Sequence, residues 1–190
     1  MSALPAGPFA TIVADPPWHY GATNDRSSAG KHYPTMRNEE IAALRVEAIV
    51  EDDAHLYLWI TNPRIFGPRN GTGPSPKEIM EAWGFRYVTT LTWHKLGAPG
   101  MGYYFRGDTE HVLFGVRGTA PIPAASRVSN HFTARKSRHS AKPPEFYRIV
   151  EAVSPAPRLE MFARQRRPGW CAWGNDPRIL EPPLTLGLTP

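Results

Sequence analysis

Residues 14–18 read Ala14-Asp15-Pro16-Pro17-Trp18, and they follow directly on the apolar run Phe9-Ala10-Thr11-Ile12-Val13. The run is bounded by a proline and contains β-branched residues, which predicts a buried strand. Two prolines cannot continue a ladder of backbone hydrogen bonds, because neither has an N–H to donate. The chain must therefore turn at the carboxyl end of this strand, the edge at which open α/β sheets bind their ligands.

The predicted turn carries groups that suit one kind of ligand. It presents the carboxylate of Asp15, backbone carbonyls stiffened by proline, and the indole of Trp18. The acceptors take N–H protons, and the indole stacks on the face of a ring. These groups favour a planar ring that bears an amino group. The alternative is an ordinary strand-ending turn with a tryptophan in the core.

The composition is that of a single globular domain. The chain has 190 residues, of which 41% are hydrophobic and 21% are charged, within the normal range for such a domain. Its apolar runs are shorter than the roughly 18 residues that a membrane span needs. Cys171 is the only cysteine, so an intramolecular disulfide and a cysteine-based zinc site are excluded. We expect no membrane association and a cytoplasmic, intracellular location.

Basic residues are concentrated in one stretch. The formal net charge is +5, which permits a polyanionic partner. Residues 119–144 contain no acidic residue and predict a long loop without secondary structure. Two interpretations of this loop are possible: a basic loop exposed to solvent, or a segment that contacts the phosphate backbone of a nucleic acid. In the second case the candidate nucleic-acid contacts are Arg135, Lys136 and Arg138.

The remaining pattern alternates strands with helices. A strand is predicted at each of residues 55–60, 85–95, 111–116, 158–163 and 170–173. Helices are predicted after a cap at Asn38, after the capping box that begins at Ser75, and from Pro143 to about Val153. Residues 20–31 predict a loop beside the first strand, with a lid as the functional alternative to a plain surface loop. The chain from Pro177 onward predicts an arm or a disordered end.

Several separated motifs give the chain a family resemblance. It resembles the MT-A70 family of S-adenosylmethionine-dependent adenine-N6 methyltransferases, over about residues 9–176. The motifs that carry this resemblance occur in the following order: Ala14 to Trp18, Leu56 to Thr61, Trp93 to Lys95, Glu110 to Gly118, His139 to Pro143, Leu159 to Arg164, Gly169-Trp170 and Trp173 to Asn175.

The resemblance implies an α/β, Rossmann-like class I methyltransferase fold with a permuted motif order. The strand that handles the base comes first and the cofactor-binding strand comes last, in a mostly parallel central sheet with flanking helices. The methyltransferase domain then spans residues 1–176, and a proline-rich C-terminal tail spans residues 177–190. The implied cofactor is S-adenosylmethionine, and the implied partner is nucleic acid, with DNA favoured over RNA.

Site residues follow from the same resemblance. The catalytic turn is Asp15, Pro16, Pro17 and Trp18, and Asp15 also borders the cofactor. Lys142 would neutralise the methionine carboxylate of the cofactor, and Phe162 would line its pocket. The other implied cofactor contacts are Glu160, Arg164 and Arg167 near the ribose, and Asn175 and Asp176 near the adenine.

The implied reaction requires no metal. Asp15 and the carbonyl of Pro16 would accept the protons of the target amine, and Trp18 or Tyr20 would stack on the base. Further candidates for lining the target pocket are Trp59, Trp93, Lys95 and Glu110. The alternative for Trp59, Trp93 and Lys95 is core packing at strand positions, and the alternative for Glu110 is a surface salt bridge.

The sequence also departs from the family pattern. Few residues precede Phe9, so an acidic cofactor contact that often lies there is absent or replaced. The residues after Arg164, Gln165-Arg166-Arg167, differ from the eukaryotic RNA enzymes of the family, and no CCCH zinc fingers are present. We therefore expect a compact microbial or phage-like DNA enzyme. An RNA adenine methyltransferase and a catalytically silent nucleic-acid-binding subunit remain alternatives, Trp18 argues against a cytosine enzyme, and a homodimer or heterodimer is left open.

Overall fold

The computed structural model describes residues 3–19, 34–68, 71–100, 102, 104–136 and 141–180. The strands are β1 (Phe9–Ala14), β2 (Val50–Ile60), β3 (Arg86–Leu96), β4 (Thr109–Arg117), β5 (His131–Arg135), β6 (Arg158–Met161) and β7 (Trp170–Trp173). The helices are α1 (Asn38–Ala42), α2 (Pro76–Ala82), α3 (Pro144–Val153) and α4 (Pro177–Leu180), with short 3-10 helices at Val46–Ala48, Asn62–Arg64 and Ala124–Ser126.

The strands form one sheet in the order β5-β3-β4-β2-β1-β6-β7. β4 runs antiparallel to its neighbours β2 and β3, and the other pairings are parallel. The predicted α/β fold with a mostly parallel sheet is therefore confirmed. From β1 the chain passes to β2 on one side, and it returns later to β6 on the other. Asp15 thus leaves β1 where the strand order reverses, which is where such sheets form a ligand crevice.

Helices cover both faces of the sheet, because each strand alternates its side chains between two apolar clusters. On one face Leu56 and Leu58 of β2 belong to a cluster with Ile79 and Met80 of α2. On the other face Tyr57 and Trp59 belong to a cluster with Phe146 of α3. Asp15 continues the second face, since Val13 lies there and side chains repeat every two residues.

β5 overturns the prediction that residues 119–144 form a loop without secondary structure. His131–Arg135 pairs in parallel with β3, and Phe132 and Ala134 are buried between exposed neighbours. Only two inward-facing side chains carry this alternation, so the local signal is weak. Phe132 becomes a strand residue because it packs with its ring parallel to that of Trp93, at a centroid distance of 6.5 Å.

The helix starts show one confirmed cap and one wrong one. At α2 the side chain of Ser75 accepts from the backbone of Glu78, and the Glu78 carboxylate accepts from the Ser75 backbone, as predicted. At α1 the cap is Arg37 rather than Asn38. Asn38 is buried instead, and its side chain donates to the carbonyl of Pro74 at 2.7 Å. The amide therefore joins the start of α1 to the loop before α2, a role that depends on a distant partner.

A buried polar chain joins α3 to β2 at the edge away from Asp15. His55 Nε2 lies 2.8 Å from the carbonyl of Ala120, so that nitrogen carries the proton and Nδ1 accepts. Nδ1 lies 2.7 Å from the hydroxyl of Ser154, and Tyr57 donates to the same hydroxyl at 2.7 Å. Burial lowers the pKa of His55 and raises the pKa of Tyr57 to about 12. The chain is fully satisfied only while His55 is neutral.

The predicted tail begins as an ordered element. Residues 177–180 form α4, in which Ile179 is buried and its carbonyl accepts from Arg166 at 2.6 Å. Residues 181–190 lie outside the described residues. None of the helices in the described part of the chain is long and apolar enough to cross a bilayer.

Candidate active site

Asp15 and Lys142 form the centre of the site. Asp15 follows β1 directly, and Lys142 directly precedes Pro143, the N-terminal cap of α3. The Lys142 Nζ lies 2.8 Å from the Asp15 Oδ2, and the two side chains are 11% and 29% exposed. The pair is thus sheltered but still reachable by a ligand, so a molecule bound here would meet both a cation and an anion.

The aromatic ring of Trp59 forms the floor under this pair. The Lys142 Nζ lies 4.2 Å from the centroid of the ring, close enough for a cation–π interaction. Trp59 itself is 1% exposed and lies in the core at the end of β2. Core packing, the alternative for Trp59, is therefore what the structure shows, and its outer face supports the lysine.

Two further charged groups extend the centre toward β3 and β4. Glu110 Oε1 accepts from the Lys95 Nζ at 2.5 Å, and Glu110 Oε2 lies 3.8 Å from the Lys142 Nζ. Glu110 is 23% and Lys95 16% exposed, so this pair is more sheltered than the surface salt bridge that was the alternative. Anions and cations thus alternate along the edge in the order Asp15, Lys142, Glu110 and Lys95, and their charges balance.

The turn after Asp15 is held rigidly, with Trp18 pointing inward. Trp18 is 5% exposed, and its indole donates to the carbonyl of Trp59 at 3.2 Å. Its backbone N–H donates to the carbonyl of Pro16 at 2.8 Å, and Met36 donates to the carbonyl of Pro17 at 2.8 Å. The exposed stacking surface predicted for Trp18 is therefore not present in this structure. Trp18 instead fixes the turn that carries Asp15.

The neighbouring strand brings Glu160 to the same face as Asp15. Val13 pairs with Glu160 across β1 and β6, and Asp15 lies two residues beyond Val13. The Glu160 Oε1 accepts from the hydroxyl of Tyr147 at 2.6 Å. Burial is the largest influence on Glu160 and raises its pKa.

A tight backbone contact closes the site beyond Glu160. Phe162 directly follows β6 and has φ at 60°, and its ring packs edge-on against Trp173 at a centroid distance of 5.4 Å. The Ala163 N–H donates to the carbonyl of Trp173 at 2.9 Å. A Cβ on Gly174 would come within 2.4 Å of the Ala163 carbonyl oxygen. Only glycine fits there, so the chain after β7 lies against the chain after β6.

Asn175 and Asp176, the last two residues predicted to contact the cofactor, differ in their contacts. Asn175 is exposed, whereas Asp176 is held by Arg178 through its backbone N–H at 3.0 Å and two guanidinium contacts at 2.8 Å. The side-chain hydrogen bond from Arg178 is the main reason that the pKa of Asp176 is lowered. A ligand that uses Asp176 must therefore compete with Arg178.

The remaining predicted residues fall into three groups. Trp93 is 4% exposed and donates to the carbonyl of Ala134, so it packs in the core. Arg135 and Lys136 are exposed at the end of β5, where the Lys136 Nζ donates to the Ala98 carbonyl at 2.8 Å. Tyr20 and Arg138 lie outside the described residues.

Tyr147 lies at the site, although it was not among the site residues predicted from the sequence. This residue lies three positions before Val150, so both occupy the buried face of α3. A tyrosine on a buried helical face needs a partner for its hydroxyl, and that requirement was the available signal. The guanidinium carbon of Arg167 lies 3.5 Å from the centroid of the same ring.

The comparisons with known proteins identify the family of the chain. A profile of the MT-A70 family matches residues 9–176. The chain belongs to the MT-A70 family. Those bounds run from the first residue of β1 to Asp176, so the MT-A70 match includes all seven strands.

Three relatives illustrate the range of proteins to which the chain is similar. The chain is 31% identical to the Type II methyltransferase M.MunI of Mycoplasma sp, over 91% of this chain and 79% of that protein. It is 29% identical to the N(6)-adenosine-methyltransferase MT-A70-like protein of Drosophila melanogaster, over 94% of this chain and 29% of that protein. It is 28% identical to the human N(6)-adenosine-methyltransferase catalytic subunit METTL3, over 90% of this chain and 28% of that protein.

Proposed function

We propose that this protein transfers a methyl group from S-adenosylmethionine to the 6-amino nitrogen of adenine in nucleic acid, with DNA favoured over RNA. The observation that carries the proposal is the placement of Asp15. Its carboxylate lies at the switch point of the sheet, sheltered and supported by Lys142. A carboxylate at such a point can accept a hydrogen bond from a bound amine, and it stabilises the positive charge that develops on the amine nitrogen.

Two acceptors from one turn would orient the amine. The Asp15 carboxylate accepts a hydrogen bond from one amino N–H and the Pro16 carbonyl accepts one from the other, which turns the nitrogen lone pair toward the cofactor. The Pro16 carbonyl already accepts from the Trp18 N–H, and a carbonyl oxygen has a second lone pair for a ligand. Because the turn is fixed at Trp18 and Pro17, the acceptors need little rearrangement before the reaction.

Lys142 has two carboxylates within reach, and this arrangement suits a change of partner. It lies 2.8 Å from Asp15 and 3.8 Å from Glu110. When the target amine approaches Asp15, the ammonium can keep Glu110 and remain on the face of Trp59. In the same position it can neutralise the carboxylate of the cofactor. We propose that this lysine connects the target half of the site with the cofactor half.

The residues around β6 and β7 fit S-adenosylmethionine. The Glu160 carboxylate suits ribose hydroxyls, the Lys142 ammonium suits a carboxylate, and the close backbone contact at Gly174 forms a narrow wall at the strand ends. Phe162, Arg164, Arg167, Asn175 and Asp176 complete the proposed contacts. When bound, the cofactor supplies a methyl group already activated by a sulfonium, so the chain needs to position and not to activate it.

The choice of DNA rests on the similarity to the Type II methyltransferase M.MunI, with which the chain is 31% identical over 79% of that protein. Arg135 and Lys136 lie exposed at the end of β5, where basic side chains can contact the phosphates of either nucleic acid. An RNA substrate is the alternative. We further propose a cytoplasmic location, on the ground that the single cysteine suits a reducing compartment.

The test is incubation of the protein with methyl-labelled cofactor and matched oligomers of single-stranded DNA, double-stranded DNA and RNA. The products are digested to nucleosides and separated. We expect label in N6-methyladenosine derivatives, and more from DNA than from RNA. Label in a cytosine derivative would contradict the target base. Binding of the cofactor without label in any oligomer would instead support the silent subunit.

A further inference from the structure

Tyr147 joins α3 to the strand end that carries Glu160. The ring is 3% exposed, and its hydroxyl donates to the Glu160 Oε1 at 2.6 Å. The hydroxyl must be the donor when Glu160 is ionised, because a carboxylate has only acceptors. Burial, together with the charge of Glu160, raises the pKa of Tyr147, which keeps the phenol protonated. One carboxylate oxygen is thereby fixed, and Oε2 is left as an acceptor for a ligand.

The ring of Tyr147 is itself held from three directions. The guanidinium of Arg167 lies over one face at 3.5 Å from the centroid. Phe146 and Trp170 contact the ring edge-on, at centroid distances of 5.4 Å and 5.7 Å. Trp170 is tied back to α3 by a hydrogen bond from its indole to Glu151 at 2.8 Å. The phenol therefore has little freedom to turn away from Glu160.

The start of α3 reaches both halves of the proposed site. Lys142, two residues before the helix, contacts Asp15, while Tyr147, in its first turns, contacts Glu160. Asp15 follows β1 and Glu160 lies in the adjacent parallel strand β6, and the two carboxylates lie on the same face of the sheet. One rigid segment can thus set the distance between the acceptor for the target amine and the acceptor for the cofactor.

We propose that Tyr147 is a positioning residue that aims the Glu160 carboxylate at the ribose hydroxyls of S-adenosylmethionine, with Arg167 holding its ring in place. The inference rests on the proposed function, because it assumes that Glu160 binds the cofactor. Tyr147 itself touches no reacting atom. Its effect is to leave Oε2 oriented and charged, so that the carboxylate accepts from a ligand without first having to reorient.

A pH measurement distinguishes this role from simple packing. Burial raises the pKa of Glu160, and the hydrogen bond from Tyr147 lowers it. The charges of Arg167 and Lys142 also lower it, whereas the charge of Asp15 raises it. Without the phenol hydroxyl, Glu160 should take up a proton at a higher pH. On acidification, the variant should then lose cofactor affinity at a higher pH than the wild-type protein. A loss of packing around the ring would not by itself change this pH.

The experiment is calorimetric titration of S-adenosylmethionine from about pH 4.5 to 8 into the wild-type protein, Tyr147→Phe and the matched control Tyr57→Phe. The control loses a buried hydroxyl that bonds Ser154 instead of Glu160. We expect Tyr147→Phe to bind the cofactor about tenfold more weakly near neutral pH. The acid limb, which is the part of the pH profile where affinity falls on acidification, should move to higher pH. The control should keep both the wild-type affinity and the wild-type limb.

Two outcomes would overturn the inference while leaving the proposed function intact. One is that Tyr147→Phe binds within twofold of wild type with an unmoved acid limb, while Glu160→Gln loses affinity. The other is that both tyrosine variants weaken binding equally. If the wild-type protein does not bind the cofactor at all, the proposed function fails instead.

Arg167→Lys provides a second route if Tyr147→Phe does not fold. It keeps a positive charge near Glu160, which by itself lowers the pKa of that carboxyl, but it removes the planar guanidinium that lies over the phenol ring, so the acid limb should again move to higher pH. An unmoved limb in this variant would equally overturn the inference.

Discussion

Replacing Asp15 by asparagine tests the centre of the proposed mechanism. The amide keeps the shape of the side chain, but it removes the negative charge that lies 2.8 Å from the Lys142 Nζ. It also offers an NH₂ group where an acceptor is required, unless the amide turns over. The loss should therefore fall on the transition state, in which positive charge develops on the amine.

The expected magnitudes separate turnover from stability. Loss of one preorganised electrostatic group lowers turnover about a hundred- to thousandfold in comparable sites. Lys142 keeps Glu110 at 3.8 Å and the face of Trp59, so the free energy of unfolding should fall by only about 1 kcal/mol. Cofactor affinity should change by a few-fold at most, because Glu160 and Lys142 remain.

The assay measures single-turnover methyl transfer, calorimetric cofactor affinity and thermal unfolding on the same preparations. Asp108→Asn is the matched control, since it makes the same change in charge at the same edge of the sheet, where Asp108 lies 3.7 Å from His94. The control should retain turnover. An Asp15→Asn protein that methylates adenine within a few-fold of wild type would refute the reasoning. Complete loss of cofactor binding would move Asp15 to the cofactor site.

Three further predictions follow from the charged groups. Lys142→Ala should weaken cofactor binding while nucleic-acid affinity is kept, as measured by calorimetry and by oligomer binding; unchanged cofactor affinity would contradict the assignment. Removing the charges of Arg135, Lys136 and Arg138 together should weaken binding to nucleic acids of all sequences alike, and it should reduce the dependence of that affinity on salt concentration. An unchanged salt dependence would show that these three residues do not contact the nucleic acid. His55 has a lowered pKa when folded, so the unfolded chain binds the extra proton first and the free energy of unfolding should fall as the pH drops below about 6.5. A His55→Gln protein should lack that part of the acid destabilisation in denaturant titrations, and an identical pH dependence in the two proteins would argue against it.

Local patterns in the sequence determined much of the fold. An apolar β-branched run followed by two prolines predicts both β1 and the turn after it, because proline cannot extend the ladder. Ser75 and Glu78 satisfy each other's backbone donors across one helical turn, so the start of α2 can be read without tertiary information. The order of the motifs likewise indicated the MT-A70 family before any contact was known.

Side chains whose roles depend on distant partners could not be assigned from the sequence. Trp18 offers the same indole whether it faces a ligand or the core, and the carbonyl of Trp59 decides that it lies inside. Asn38 has the chemistry of a cap, yet it lies inside α1 and its side chain donates to the carbonyl of Pro74 in the loop before α2. Both outcomes rest on partners more than 30 residues away.

The sequence by itself determined the residue types at the carboxyl edge of the sheet, because strand-ending turns and cap motifs are local and short. Only the tertiary structure decided how these groups are paired. It placed Lys142 between Asp15 and Glu110, and it gave Glu160 the hydroxyl of Tyr147. The physical reason is that the strength of a charge pair or a hydrogen bond depends on distance and shelter from water, and both arise when strands and helices far apart in the chain pack together.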